Sequence, residues 1–409
     1  MKILVAKNWL RFSILNLLIV AVIGVLMRYK IAYSFPYLDQ KHLQHGHSHF
    51  AFTGWVIHTL YVLMALFLQR TSSCFNYKKY RFLIMANLLT AYGMLFSFPV
   101  QGYGPVSIGF SFLSTLVGFV FAYQYIKDLK TVEKANPAKK WYKAALIFNV
   151  VSSLGTFALA YMMATKNLHQ NWYLASLYYY LHFQYNGLFF FACMGLITGR
   201  MYRMGILHKN YDVVFWMFAI ACVPAYFLSA LWMDIPVIVY ALVVIAAIVQ
   251  VWAWIKFLLI LKNQYGILKP VLSKGSRWLF LLVIISLSIK LLLQLGSTIP
   301  EVSKLAFGFR NIVIAYLHLE LLAIITLFLL TYMFSFTLRD VGKKALTALW
   351  IFTAGIFMNE AVLGVVGVAS FTYTAVPYSN EMLLGISAIM LLGLVILLVR
   401  FSGKQETHG

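Results

Sequence analysis

His45-Gly46-His47-Ser48-His49-Phe50-Ala51-Phe52-Thr53-Gly54-Trp55 places three histidines in front of an apolar run, and its second half recurs twice later in the chain. The phrase His49-Phe-Ala-Phe-Thr-Gly54 returns as His182-Phe-Gln-Tyr-Asn-Gly187 and as His318-Leu-Glu-Leu-Leu-Ala323. Each copy reads histidine, bulky apolar, any residue, bulky apolar, any residue, small. The histidines are 133 and 136 residues apart, each close to a third of the 409-residue chain. Periodicity on this scale marks a repeated structural unit. It predicts three similar segments, about 1–135, 136–270 and 271–409, within one integral membrane domain, aiming histidines at a shared interior.

The surroundings of the phrase fix the class. Hydrophobic residues make up 62% of the chain and charged residues 11%, which is a bilayer composition and not that of a soluble domain. The net charge of +22 does not signal nucleic acid, because the basic residues punctuate apolar runs instead of clustering on one polar domain. Cys74, Cys193 and Cys222 have no CxxC spacing and give no disulfide framework. The first apolar run, Phe12 to Met27, leads into Arg28-Tyr29-Lys30 with no small-residue cleavage site, so it reads as an uncleaved span.

A hydrocarbon core about 30 Å thick takes roughly 20 apolar residues per helix. By that measure the fold is all-α and polytopic, with about twelve transmembrane helices in three pseudo-symmetric groups of four. They are expected near 9–28, 46–69, 81–102, 105–126, 142–164, 173–199, 213–233, 235–261, 278–298, 311–335, 344–369 and 382–401. Turn residues at 101–105 and 232–236 make the shortest connections. Lysine and arginine collect in alternate connections: Arg70/Lys78/Lys79/Arg81, Lys127/Lys130/Lys134/Lys139/Lys140, Arg200/Arg203/Lys209, Lys262/Lys269/Lys274/Arg277 and Arg339/Lys343/Lys344. Arg28, Lys30, Lys41, Lys304 and Arg310 weaken the contrast. The positive-inside rule then places both termini in the cytoplasm and the protein in the inner membrane.

The repeated histidines fall on spans 2, 6 and 10, which all run the same way. Arg70, Arg200 and Arg339 follow them by 21, 18 and 21 residues. At 1.5 Å per residue the three histidines sit roughly 27–32 Å above the cytoplasmic boundary, at the outer edge of the hydrocarbon. Ionisable groups at such depths face the bundle interior, and neutral imidazole is a common ligand for metals and heme iron. On a helix His45 and His49 share a face while His47 points the other way, so this helix serves two neighbouring sites or unwinds at Gly46. His42 reads as a solvated loop residue and His58 as a buried, hydrogen-bonded one. Two residues before the phrase stand His47, Tyr180 and Tyr316; Gln184 and Tyr185 follow His182, and Glu320 follows His318. Glu360 and Lys290 are intramembrane charges that mark either a proton path or a structural pair with each other. Belt or packing roles are the default for Trp172, Tyr173 and the Tyr178-Tyr179-Tyr180 run.

Twelve helices with cytoplasmic termini and outer histidines on helices 2, 6 and 10 resemble the heme-copper oxidase catalytic subunit, a superfamily that includes oxygen and nitric oxide reductases. The resemblance implies heme b held by His49 or His47 and by His318, with His182 on the copper side and His45 as a further metal ligand. The chain departs from that pattern in four places, the first being that helix 6 lacks the family's His-Pro-Glu segment. Val213 to Trp232 contains no histidine where the family has a pair, residue 186 is Asn where many oxidases have a tyrosine, and helix 10 carries one histidine. The phrase His47-Ser-His49-Phe-Ala-Phe-Thr-Gly54-Trp55 is also similar to one in the NnrS family of heme- and copper-associated membrane proteins linked to nitric oxide.

The resemblance implies binding or reduction of a diatomic such as nitric oxide or oxygen, or relief of nitric oxide stress. Tyr180, Tyr185, Tyr316, Glu320 and Glu360 would be the pocket candidates. An electron-donor protein or partner subunit is the partner expected besides the lipid bilayer. Two other readings stay open: a metal-ion or small-solute transporter using the same histidines, and a non-catalytic assembly or structural membrane protein.

Overall fold

The computed structural model describes residues 5–338 and 343–402, and side chains there except at 305–307, 343–344 and 402. Arg339, and the Lys343 and Lys344 side chains, lie outside this description. Among the described residues every regular element is helical. Long apolar helices satisfy their own backbone polar groups, which is what a bilayer demands.

Twelve long helical stretches follow in chain order. They are α1 (Ala6–Ala32), α2 (Gln40–Thr71), α3 (Tyr77–Gln101), α4 (Pro105–Thr131), α5 (Ala138–Ala164) and α6 (170–203). Next come α7 (Tyr211–Cys222 with Pro224–Ala230), α8 (Val237–Asn263), α9 (Lys274–Gly296), α10 (Arg310–Thr337), α11 (Lys343–Phe371) and α12 (Ser379–Ser402). Among the described residues ten helices are long and apolar enough to cross a membrane, and the protein is an integral membrane protein. α7 bends by 45° where Pro224 lacks the N–H that would continue the α ladder. α6 falls outside the ten because Tyr178–Tyr180, His182, Gln184 and Asn186 dilute its apolar character.

Local chemistry sets the helix starts and stops. The side chains of Asp39, Asn76 and Ser273 accept from the main-chain N–H three residues on, capping α2, α3 and α9. Gly102, at φ +56°, turns the chain between α3 and α4, and Pro105 opens α4. His42 lies in the first turn of α2 with its ring against Gly102; it is a half-buried helical residue and not a solvated loop residue.

The chain divides into two compact units. The first takes the chain up to Arg70, Phe75–Val117 and everything from Thr326; the second takes Thr71–Cys74 and Gly118–Ile325. Within the first unit α2 is the interior helix: 89% of its apolar stretch is buried, against 22–50% for the other membrane-length helices. In the second unit His182 to Leu196 of α6 is buried without a break.

The threefold phrase has a shared backbone consequence. α-Helical geometry gives way to a π-helical turn at Ala51–Ile57, Phe183–Phe189 and Leu319–Thr326, one or two residues after His49, His182 and His318. A further π turn lies at Met333–Thr337. Such turns insert a residue, shift the carbonyls out of register and are concentrated at functional sites. Gly46 is not the point of unwinding. The helix is regular through Phe50, and Gly46 admits Pro99 of α3, whose Cγ would lie 3.0 Å from an added methyl.

Candidate functional site

In the first unit the π turn of α2 is held by two asparagines from its neighbours. Asn16 of α1 donates to the Gly54 carbonyl (2.5 Å) and Asn87 of α3 donates to the Thr53 carbonyl (3.0 Å). The Tyr92 hydroxyl donates in turn to Asn16 Oδ1 (2.8 Å). Asn16 and Asn87 are buried, so each meets a carbonyl that the π register exposes. Trp55, inside the same turn, donates from Nε1 to the Thr326 hydroxyl (2.9 Å), the last residue of the third π segment.

His49 stacks on Phe98 at 4.3 Å, and its Nε2 lies 3.2 Å from the Tyr103 hydroxyl. His45 packs its ring edge-on to Tyr103 at 4.6 Å. His47 faces the other way, against Gly24 of α1. The expected split of this stretch into two faces is therefore what the helix does. Tyr103 belongs to the tight connection between α3 and α4, so His49 stands level with a helix end. Asp39, outside the apolar stretch, accepts the His42 N–H, which holds its carboxyl below the usual carboxylate range. His58 is fully buried beside Trp9, their ring centroids 6.4 Å apart.

The second unit holds a continuous polar chain. His182 Nε2 lies 2.8 Å from the Cys222 carbonyl, which can only accept, so Nε2 carries the proton. Nδ1 then accepts from Asn186 Nδ2 (3.1 Å), and Asn186 Oδ1 accepts from Lys290 Nζ. Lys290 pairs with Glu320 (3.4 Å), with side chains only 4% and 1% exposed. The Cys222 carbonyl is available because α7 breaks there: the Tyr226 N–H bonds to Val223 instead. The Cys222 thiol lies 3.9 Å from His182 Nε2. Lys290 thus bridges the π turn of α6, through Asn186, to the π turn of α10, through Glu320.

That arrangement corrects one expectation. Glu360 is not the partner of Lys290; it takes a hydrogen bond from Asn359 (3.2 Å) and lies within electrostatic reach of Arg28, both in the first unit. Tyr185 is buried and Tyr316 half-buried, both within electrostatic reach of Glu320. Tyr180 is half-buried where α6 crosses Gly155 of α5.

No protein-family model matches this chain, and no curated protein matches it either.

His318 is half-buried and donates from Nδ1 to the Ile314 carbonyl one turn back (2.8 Å), which puts the imidazole lone pair on Nε2. Metal- and heme-ligating histidines are oriented by this kind of bond. Both nitrogens of His182 are engaged, so as it stands the ring has no lone pair to offer. Among the described residues no three His, Cys, Asp or Glu side chains are grouped so as to hold a metal ion. Asn16, Asn87, Cys222, Phe98 and Ser286 escape a motif-based reading. Their one sequence signal is a polar or aromatic residue inside an apolar span, which fits a packing role equally well.

Proposed function

We propose that the protein is a heme-binding membrane protein in which His318, and separately His49, would hold heme iron. The observation that carries this reading is the coupling of each phrase histidine to a π turn. A π turn is maintained at the cost of regular hydrogen bonding, and here buried Asn16, Asn87 and Lys290 are committed to supporting it. His318 fits an iron ligand, because the Ile314 carbonyl fixes its tautomer with Nε2 as the donor atom. His49 fits through its fixed ring, stacked on Phe98 with Tyr103 at Nε2. Copper at His182 does not fit the present arrangement and forms no part of the proposal.

When bound, heme supplies an iron that takes up a diatomic such as nitric oxide or oxygen and changes oxidation state. The protein's own part is to hold the imidazoles, exclude lipid and present donors. Tyr185 and Tyr316, near Glu320, are the hydroxyl groups placed for that in the second unit. The proposal includes twelve membrane crossings, counting the bent α7 and the polar α6, with both termini in the cytoplasm. Its support is charge: Lys134, Lys209 and Lys269 stand on one set of connections with Lys78 in the first turn of α3, and Asp39, Asp234 and Glu301 on the other with Glu381 in the first turn of α12.

The test is a reduced-minus-oxidised visible spectrum of the purified protein with iron and copper analysis. A Soret and α band that His318→Ala or His49→Ala weakens and His182→Ala leaves in place is the expected result. A colourless, iron-free protein overturns the proposal.

A further inference from the structure

α9 carries a polar stripe through the second unit. Ser286, Lys290 and Gln294 recur every four residues, so they lie on one face, about 6 Å apart along the axis. All three are buried, at 1%, 3% and 7% exposure, while Ile285 and Ile289, about 100° round the helix from them, are exposed. Serine and threonine hydroxyls in apolar helices ordinarily bond to the carbonyl one turn back, as Ser288 does to Ile284 and Thr198 to Met194. Ser286 does not, and its hydroxyl meets no other protein group. The side-chain oxygen of Gln294 likewise has no donor. Glu320 is fully buried and faces Lys290 at 3.4 Å, and neither of its carboxylate oxygens takes a further hydrogen bond.

Two unpartnered groups flanking a buried ion pair are costly in a dry interior, because a buried polar group without a partner loses the full value of its hydration. Intramembrane polar residues of this kind face one another or a water-filled cavity. We propose that Ser286, Lys290, Gln294 and Glu320 line a hydrated path inside the second unit, with water as its occupant. It opens at the Gly296 end of α9. Gln294 stands two residues from that end, next to the polar Ser297-Thr298 connection, and is the entrance. Lys290 and Glu320 lie one turn deeper and Ser286 one turn deeper again. The path brings water to the Lys290–Glu320 pair and, through Asn186, to His182. It does not depend on any cofactor.

Cysteine reactivity tests this directly, since only the thiolate reacts with methanethiosulfonates and a thiolate forms only where water reaches it. In the full-length protein with Cys74→Ser, Cys193→Ala and Cys222→Ala, aminoethyl methanethiosulfonate should modify Gln294→Cys and Ser286→Cys about ten-fold or more faster than Ile285→Cys and Ile289→Cys. Gln294→Cys should be the fastest. Hydroxyl-radical footprinting of the unaltered protein gives a second measurement and decides the matter where a cysteine variant does not fold. Buried Leu287 and Leu291, beside the stripe, should be oxidised faster than exposed Ile285 and Ile289. Modification of the stripe at the rate of the lipid-facing positions, or footprinting without that excess, overturns the proposal.

Discussion

Replacing Lys290 with methionine keeps an unbranched side chain one atom shorter and removes its charge, so it reports chiefly on what the buried ion pair contributes. At 3.4 Å and an effective dielectric of about 20, the attraction between the two charges is about 5 kcal/mol. Desolvation of both groups offsets much of that, and the intact pair adds little net stability. Removing one partner is different. Glu320 is then left fully buried with no donor, and Asn186 loses the ammonium that orients it toward His182. The expected cost of Lys290→Met is about 3–5 kcal/mol. Lys290→Met combined with Glu320→Gln should recover about 2 kcal/mol or more of it, because no stranded charge remains. Chemical unfolding in detergent of the parent, the two single variants and the double variant gives the coupling energy. A cost below about 1 kcal/mol, the range of exposed pairs, refutes the reasoning. So does a double variant whose loss equals the sum of the single losses.

The π turns and caps give two further expectations. Asn16→Leu strands the Gly54 carbonyl and the Tyr92 hydroxyl and should cost about 1–3 kcal/mol in the same unfolding assay. An unchanged midpoint would mean that Asn16 does not hold the turn. For Asp39 the carboxyl is held below its ordinary value by the His42 N–H, so its contribution is present above about pH 4 and is lost as pH falls through the depressed value. Asp39→Ala should therefore lower the thermal midpoint at neutral pH, and its gap from the parent should close on acidification. Asp39→Asn, which caps without charge, should keep its midpoint, and a gap that widens in acid would contradict the assignment.

Helix positions were legible in the chain because a bilayer reads only length and apolarity. The run from Phe12 to Met27 and the turn residues Gly102 and Pro105 mark helix and connection with little ambiguity. Polar residues inside spans were harder to assign. The intramembrane charges Lys290 and Glu360 invite pairing in the sequence, but Lys290 pairs with Glu320, and the choice depends on which helix packs beside α9. His182 shows the same limit. Its spacing marks it as a ligand, yet the break at Pro224 exposes the Cys222 carbonyl, and that carbonyl occupies the ring. Three residues that support the phrase, Asn16, Asn87 and Lys290, lie on other helices and share no pattern with it.

Composition and the threefold phrase by themselves determined an all-helical membrane protein, the helix that begins at each turn signal, and which three histidines deserve comparison. These follow from local rules: apolar length, the 3.6-residue period and turn chemistry act on neighbours in the chain. Tertiary structure alone decided that each phrase histidine precedes a π turn, that Lys290 joins Asn186 to Glu320, that the Ile314 carbonyl holds His318 Nδ1, and that both nitrogens of His182 are engaged. The physical reason is that a buried polar group must find its partner wherever packing brings one, and that partner is usually on a different helix.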